Sequence, residues 1–435
     1  MPTKPFRLAA FTKHLRIRLL NPNSLIRMPD DLIDMSKGRI LIAGAGVAGL
    51  SAALELAARG WNVRLVEKAE TLSEVGAGLQ LAPNAMRHLE RLGIADRLSK
   101  QAVMPEALYL MDGRKARPLM EMKLGDKACQ RWHHPYVVCH RADLQSALLD
   151  ACREEPGIEI SLGAEITSHQ AENGAVAATI RHGNSEEFLD AAYLIACDGV
   201  WSDERSKAGY SKARFSGHIA WRTTLASEAL PTSFSSAIAT SNAVSAWLGK
   251  QAHFIAYPVK DGNFVNFVAI TTGENPGEVW SRTGDPARLR SIYADWGAPV
   301  RDVLAAADAW TYWPLFEMAD AQFVGPDRTI FLGDASHAVT PFAAQGAAMA
   351  IEDAAALAEA LDSSNREAGL KRFDIARKER ITAVAKRGQL NRFAYHATGI
   401  FALGRNTLFA IRSSDSFLKD LDWLYGYNAI AAVRN

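Results

Sequence analysis

Five stretches of the chain carry hydrophobic patterns regular enough to predict elements. Residues 40–68, ILIAGAGVAGLSAALELAARGWNVRLVEK, open with the apolar run of Ile40, Leu41 and Ile42, pass a glycine-rich turn and enter an Ala/Leu-rich helical stretch that stops at Gly60. A second apolar run, Val63 to Glu67, follows, so the predicted order is strand, tight turn, helix, strand. Residues 136–152, YVVCHRADLQSALLDAC, run from a β-prone segment through Arg141 into a helix with Leu144, Leu148 and Ala151 on one face and Asp143 in its first turn. Residues 191–209, AAYLIACDGVWSDERSKAG, predict another apolar strand, ending in Asp198-Gly199, with Ser202 and Arg205 in the turn and helix behind it. Residues 328–361 predict a strand ending in Gly333-Asp334, a Pro-containing loop and an Ala-rich helix that begins near Gly346. Residues 243–270, with SGHIAWRTTLASEALPTSF ahead of them, alternate apolar and polar positions over several strands and read as an antiparallel sheet.

The first of these stretches carries chemistry. Gly44, Gly46 and Gly49 stand in G-x-G-x-x-G spacing. Gly44 permits the turn, the missing side chain at Gly46 lets backbone approach a pyrophosphate, and Gly49 lets the helix pack closely on the strand. The helix N-terminus then offers free N–H groups and partial positive charge to phosphates. Glu67 ends the second strand where a carboxylate accepts hydrogen bonds from a ribose and repels a 2′-phosphate. An Asp-Gly pair after a strand is also ordinary turn chemistry, so Asp198-Gly199 and Gly333-Asp334 gain meaning only together.

Composition narrows the class. A chain of 435 residues, 48% hydrophobic and 22% charged, can bury a large core and divides into two or three units. A formal net charge of +1 argues against nucleic-acid or anionic-membrane partners through global charge. Cys129, Cys139, Cys152 and Cys197 show no C-x-x-C spacing, which suggests neither a zinc site nor a disulfide framework and fits a reducing, cytoplasmic setting. The longest apolar stretch, Phe393 to Ile411, is interrupted by His396, Arg405 and Asn406 and reads as a core helix rather than a membrane span. Residues 1–36 are basic, with Lys4, Arg7, Lys13, Arg16, Arg18 and Arg27 ahead of the first acid, Asp30. They superficially resemble a transit peptide, but read better as a disordered arm or an extension ahead of the true start, Met35 lying just before the first strand.

Taken in order, the glycine turn with Glu67, the Asp198-Gly199 segment with Arg205 and the Gly333-Asp334 segment resemble the class A flavoprotein monooxygenases, the single-component aromatic hydroxylases. EVGAGLQLAPNAMRHLERLG (74–93), HRADL (140–144) and LDWLYGY (421–427) are similar to the salicylate and hydroxybenzoate hydroxylase branch, and the likeness runs from about Ile40 to the C-terminus. It implies that the dinucleotide is FAD. It implies an α/β fold: a discontinuous FAD-binding domain with a Rossmann-like parallel sheet (37–105, 132–210 and 325–365), an antiparallel-sheet substrate domain (106–131 and 211–324) and a helical C-terminal segment (366–435). In the family Arg141 contacts the cofactor, and Asp198-Gly199 with Arg205 belongs to a segment linked to both FAD and reduced pyridine nucleotide. Asp334 is placed to accept a ribityl hydroxyl, and the helix from Gly346 to aim its N-terminus at the pyrimidine edge of the flavin, where reduction accumulates negative charge. Ala343, Ala344, Ala347, Ala348 and Met349 stand where family members often carry a second glycine or an asparagine.

The implied reaction uses NADH or NADPH to reduce FAD, O2 to form a flavin hydroperoxide, and an electron-rich small aromatic as acceptor, with no metal. A reductase or dehydrogenase without oxygen insertion, or a non-catalytic flavin-binding regulator, would share the FAD motifs. In the family the antiparallel sheet roofs the substrate cavity, so His218, Trp221, Arg222, His253, Tyr257, Trp313 and Phe316 are candidates to line it. His218 and Tyr257 are the candidates for the catalytic task of deprotonating and orienting a phenol. His337, next to the Gly-Asp motif, suits a structural role as well as a catalytic one. Substrate identity, the choice of nicotinamide and the oligomeric state are not written in these patterns.

Overall fold

Ile40, Leu41 and Ile42 lie inside a five-stranded parallel sheet covered on both faces, which is why their run shows no polar alternation. The computed structural model that defines this architecture describes residues 37–72, 78–275, 277 and 282–434, so the basic extension 1–36 lies outside the described residues. Strand order across the sheet is Thr329–Phe331, Tyr193–Ala196, Arg39–Ala43, Asn62–Glu67 and Ile158–Leu162, all parallel. The chain thus starts near the middle and returns to both sides, the topology that places a crevice at the strands' carboxyl ends.

One face is covered by helices. Val47–Ala57 packs along Gly346–Leu361 through alanine-rich surfaces that allow close approach. Helix Arg141–Glu154 packs against the same first helix. On the other face Leu41, Val66 and Leu194 meet Val176, Ala178 and Ile180 of a three-stranded antiparallel sheet, residues 164–191. The pattern reading did not foresee that sheet.

The second large sheet has eight strands in the order Arg282–Thr283, Thr311–Glu317, Arg214–Ala226, Phe264–Thr272, Ala252–Val259, Ala243–Gly249, Ala107–Asp112 and Arg117–Lys123. Its alternation sorts residues cleanly. Trp221, Trp247, Phe254 and Phe267 point to a core under helices Pro286–Ile292 and Ala298–Ala306, with Tyr293, Trp296 and Trp310. Ala220, Val268 and Ile270 point the other way, to Phe342.

A helical C-terminal segment follows, led by Arg366–His396 and Gly399–Ile411. The core-helix reading of Phe393 to Ile411 is corrected here. The chain turns at Ala397 and Thr398, and the helix beyond has no buried residue. Among the described residues no helix is long and apolar enough to cross a membrane.

Candidate active site at the carboxyl edge of the parallel sheet

The glycine turn is fixed by contacts that only glycine tolerates. Gly44 has φ +101°, and a Cβ there would lie 2.5 Å from the carbonyl oxygen of Cys197. A Cβ on Gly49 would lie 1.9 Å from the Gly44 carbonyl oxygen. Gly46 differs: a Cβ there would meet nothing within 4 Å, and no side chain caps the helix that it starts. That open, uncapped helix end presents unpaired N–H groups, the arrangement a pyrophosphate needs. Glu67 reaches back to brace the turn, its Oε2 accepting from the Ala45 N–H at 2.8 Å and its Oε1 from the Ala69 N–H at 2.9 Å. Each oxygen keeps a lone pair for a ribose hydroxyl. Gln145 donates to the Ala45 carbonyl at 3.2 Å, and Arg141 lies one turn before it on the same helix face.

Around the corner of the crevice, Asp198 accepts the Glu204 N–H at 3.2 Å at the start of the helix Asp203–Lys207, which Ser202 caps by accepting the Arg205 N–H. Burial pushes its carboxyl above the usual range, against the Ser202 hydroxyl and the Glu204 amide. Gly199 has φ +85°, a turn conformation that favours glycine. Arg205 is buried and spends its guanidinium on four carbonyls, those of Ser211, Asp320, Ala335 and Ser336. It thereby holds the segment that carries Asp334 rather than facing the crevice.

Gly333 has φ +58°, and Asp334 stands exposed between buried neighbours at the start of the short helix Asp334–His337. Gly346 begins its helix with open space at the Cβ position and no side-chain cap. Two uncapped helix ends, at Gly46 and Gly346, and the exposed carboxylate of Asp334 make a path that could hold FAD.

A buried ionic network, unread in the sequence, supports that path. Glu352 and Asp353 lie fully buried on the helix from Gly346; Arg377 donates to both at 2.7 and 2.8 Å, and Arg380 to Glu352 at 2.9 Å. Asn84 joins Glu352 to Gln345. Burial alone would raise the Glu352 carboxyl, yet Arg380 and Arg377 overcome it and hold it below its ordinary value. The signal was present as an acidic pair in an otherwise alanine-rich helix, facing Arg377 and Arg380 three residues apart on the next one. His337 belongs to this network, its Nε2 lying 2.5 Å from Asp353 Oδ2.

Across the crevice, alternation places His218, Arg222, His253 and Tyr257 on the face of the eight-stranded sheet that meets Phe342. Trp313 joins them. Trp221 does not: it lies on the opposite face against Tyr312, and Phe316 packs on Trp201 and Phe215. The His218 ring centroid is 5.2 Å from that of Phe342, and its Nδ1 meets the Ser216 carbonyl at 3.0 Å. A carbonyl can only accept, so Nδ1 carries the hydrogen and Nε2 is left as an acceptor. Burial lowers the pKa of His218, with the Ser216 contact opposing. Burial pushes the Tyr257 hydroxyl well up, against the pull of Arg222, which keeps it a donor. His396, which the sequence reading passed over except as a break in an apolar run, contacts this group through His253 Nδ1 at 3.0 Å. Its pKa is lowered to about 4, by burial first and then by His218 and Arg392. A cavity of about 980 Å³ borders Phe234, Ser245 and Ala256 on the other face, with Tyr257 at its margin; neither Asp334 nor Gly346 lines it.

Residues 37–389 match the family described as FAD binding domain. The chain is 33% identical over 397 residues to 3-hydroxybenzoate 6-hydroxylase 1 of Aquipseudomonas alcaligenes, covering 90% of this chain and 98% of that one. It is 32% identical over 402 residues to the 3-amino-4-hydroxybenzoate 2-monooxygenase PtmB3 of Streptomyces platensis, covering 91% and 98%. A solved salicylate hydroxylase substrate complex superposes with a TM-score of 0.75 at 23% identity, covering 91% of this chain and 97% of that chain. With the glycine turn, the Asp198-Gly199 segment and the Gly333-Asp334 segment gathered along one crevice, the chain belongs to the FAD-binding family of class A flavin-dependent aromatic monooxygenases.

Proposed function

We propose that this protein hydroxylates a small, hydroxybenzoate-like aromatic acid at the expense of NADH or NADPH and O2. The observation that carries the reading is the placement of His218, Arg222 and Tyr257 on one sheet face, opposite Phe342 and the helix from Gly346. FAD, when bound, supplies the electron transfer and the oxygen insertion, and the protein supplies orientation and a dry, polar-patterned cavity. His218 Nε2 accepts the proton of the ring hydroxyl, raising electron density on the ring. The Tyr257 hydroxyl, held protonated by its burial, is a second donor further along the same face, where Tyr257 pairs with Asn266 while His218 pairs with Thr272. Glu67, Asp198, Arg141 and Asp334 orient the cofactor in this proposal; Arg205 and Asp353 keep the Asp334 turn in place.

The test measures product formed per nicotinamide oxidised with a panel of phenols, hydroxybenzoates and hydroxypyridines and with each nicotinamide. His218→Ala and Tyr257→Phe are run beside the unsubstituted protein with its best substrate. The proposal expects one hydroxylated product per nucleotide for the parent, and hydrogen peroxide in place of product for the variants, with FAD still bound. Nucleotide oxidation that never yields an oxygenated product would make the protein a reductase. Unaltered coupling in both variants would remove the two residues from the mechanism.

A further inference from the structure

The cavity of about 980 Å³ behind the eight-stranded sheet lies outside the crevice, and only the ring of Tyr257 at its margin belongs to both. It sits where strands Ala243–Gly249 and Ala252–Val259 meet helix Asp126–Trp132 and the short helix Thr232–Ser235. Small-molecule sites span about 300–1,000 Å³, so a ligand of ordinary metabolite size fits. Part of the wall is apolar, built from Phe234, Ile238, Ala256 and Val265.

Charge on the rest of the wall selects the ligand. Glu90, Glu106, Asp126 and Asp261 line the cavity, and among the described residues no Lys or Arg does. The nearest cations in sequence are turned elsewhere: Lys127 to Asp415 at 2.8 Å, Arg131 to Asp422 and Lys260 to Asp143 at 2.6 Å. Glu90 is held by His134 at 2.7 Å, and Glu106 accepts the Thr240 hydroxyl at 3.4 Å. Glu106, Asp126 and Asp261 are thereby left without an ion-pair partner among the described residues. The Cys129 thiol on the same wall is pushed up from its ordinary value by burial, then by Asp126 and Glu90, so both carboxylates act on one point. Two aromatic rings, Phe234 and Tyr257, complete the set. Aromatic faces attract ammonium groups through their quadrupole, and carboxylates attract the same groups through charge. A ring carboxylate meets repulsion here.

We propose that this cavity is a second binding site, for an amine whose ammonium head meets Glu106, Asp126 and Asp261 and whose aryl or alkyl body lies on Phe234, Ile238 and Val265. The site takes the kind of ligand that the hydroxylation substrate is not. It touches the first site through one side chain, since Tyr257 also packs on strand Gly78–Leu81, where a Cβ on Gly78 would lie 2.5 Å from its Cε2.

Isothermal titration calorimetry of the FAD-loaded protein with phenethylammonium and benzyltrimethylammonium tests this, beside phenylacetate, which keeps the aryl body and reverses the charge. At least one ammonium probe should bind with a Kd below about 1 mM, and phenylacetate should bind this site at least about tenfold more weakly. Glu106→Gln, Asp126→Asn and Asp261→Asn combined should weaken the ammonium probe on the order of 10-fold. Flavin content and thermal midpoint should stay at parent values, because all three side chains are exposed and asparagine tolerates the φ of +55° at Asp261. Each single substitution should show part of the loss, which keeps the test available if the triple variant loses flavin. Saturation with a hydroxybenzoate should leave the ammonium affinity unchanged. Failure of both ammonium probes to bind overturns the proposal, as does an affinity that survives the substitutions. Displacement of the probe by the hydroxybenzoate overturns it too, by putting the amine on the flavin side of the sheet.

Discussion

Arg377 donates from Nε to Asp353 Oδ1 at 2.8 Å with both side chains fully shielded from water. The other oxygen of Asp353 accepts the Gly333 N–H at 3.0 Å, so a cation on the C-terminal helix sets the turn that presents Asp334. Burial would raise the Asp353 carboxyl, and His337 and Arg377 reverse that shift. Arg377→Met should therefore leave Asp353 with His337 and Glu352 with Arg380 as their remaining partners, a buried network short of one cation, and cost about 3–5 kcal/mol of stability. Denaturant unfolding reads the first effect, and flavin titration should show weaker FAD binding as the Gly333 turn relaxes. Parent-like values in both would mean that the network is not what holds the turn.

The glycines of the first turn should separate by experiment. Gly49→Ala forces a methyl into the Gly44 carbonyl, where neither backbone can yield, and should give no soluble, flavin-loaded protein. Gly46→Val meets open space and should fold, yet fill the room left for the pyrophosphate and weaken FAD at least about tenfold. Asp334→Ala, on an exposed carboxylate, should leave unfolding unchanged and cost about 1–3 kcal/mol of FAD affinity. A Gly46 variant with parent affinity would place the phosphates elsewhere.

His88 gives the fold an acid limit. It is 1% exposed, neither ring nitrogen has a partner, and burial lowers its pKa to about 3 from an ordinary 6.5, with Glu352 opposing. The folded protein keeps it neutral, while the unfolded chain takes up a proton as pH falls below 6.5. Its contribution is complete above that value and is lost toward about pH 3, at about 1.4 kcal/mol per pH unit. His88→Leu should flatten the stability profile between about pH 6.5 and about pH 5 by close to one proton. An unchanged slope in urea unfolding would show that His88 is hydrated or partnered in solution.

Local patterns revealed what local physics dictates. Strand, turn and helix at 40–67 follow from residues within a few positions of each other, and so does the Ala-rich helix at Gly346. The hairpin at Asn173-Gly174 was legible and overlooked: both residues have positive φ, the requirement of a two-residue turn that matches strand twist. Trp221 shows the opposite limit. Alternation says that it and Arg222 face opposite ways, but nothing in the order of residues says which face meets the flavin side. Arg205 likewise reads as a charged group available to a ligand, and only its four carbonyl partners, one as far along as Ser336, reveal it as internal scaffolding. The surface helix at Gly399–Ile411 has a core-like composition yet no buried residue, so composition alone did not tell surface from interior.

The contact of Gly44 with the backbone of Cys197 and Asp198 bears on how this protein can be recombined with its relatives. Two turns separated by some 150 positions are pressed together without an intervening side chain, so neither can absorb a change in the other's path. A chimera that takes the glycine turn from one parent and the Asp-Gly segment from another inherits a mismatched seam. The eight-stranded sheet, whose aromatic core around Trp247 and Phe254 is largely its own, offers the better unit of exchange. Crossovers set just ahead of Arg214 and just beyond Glu317 would leave that seam untouched while transplanting six of the eight strands, those of His218 and Tyr257 among them, against the resident pair Ala107–Asp112 and Arg117–Lys123.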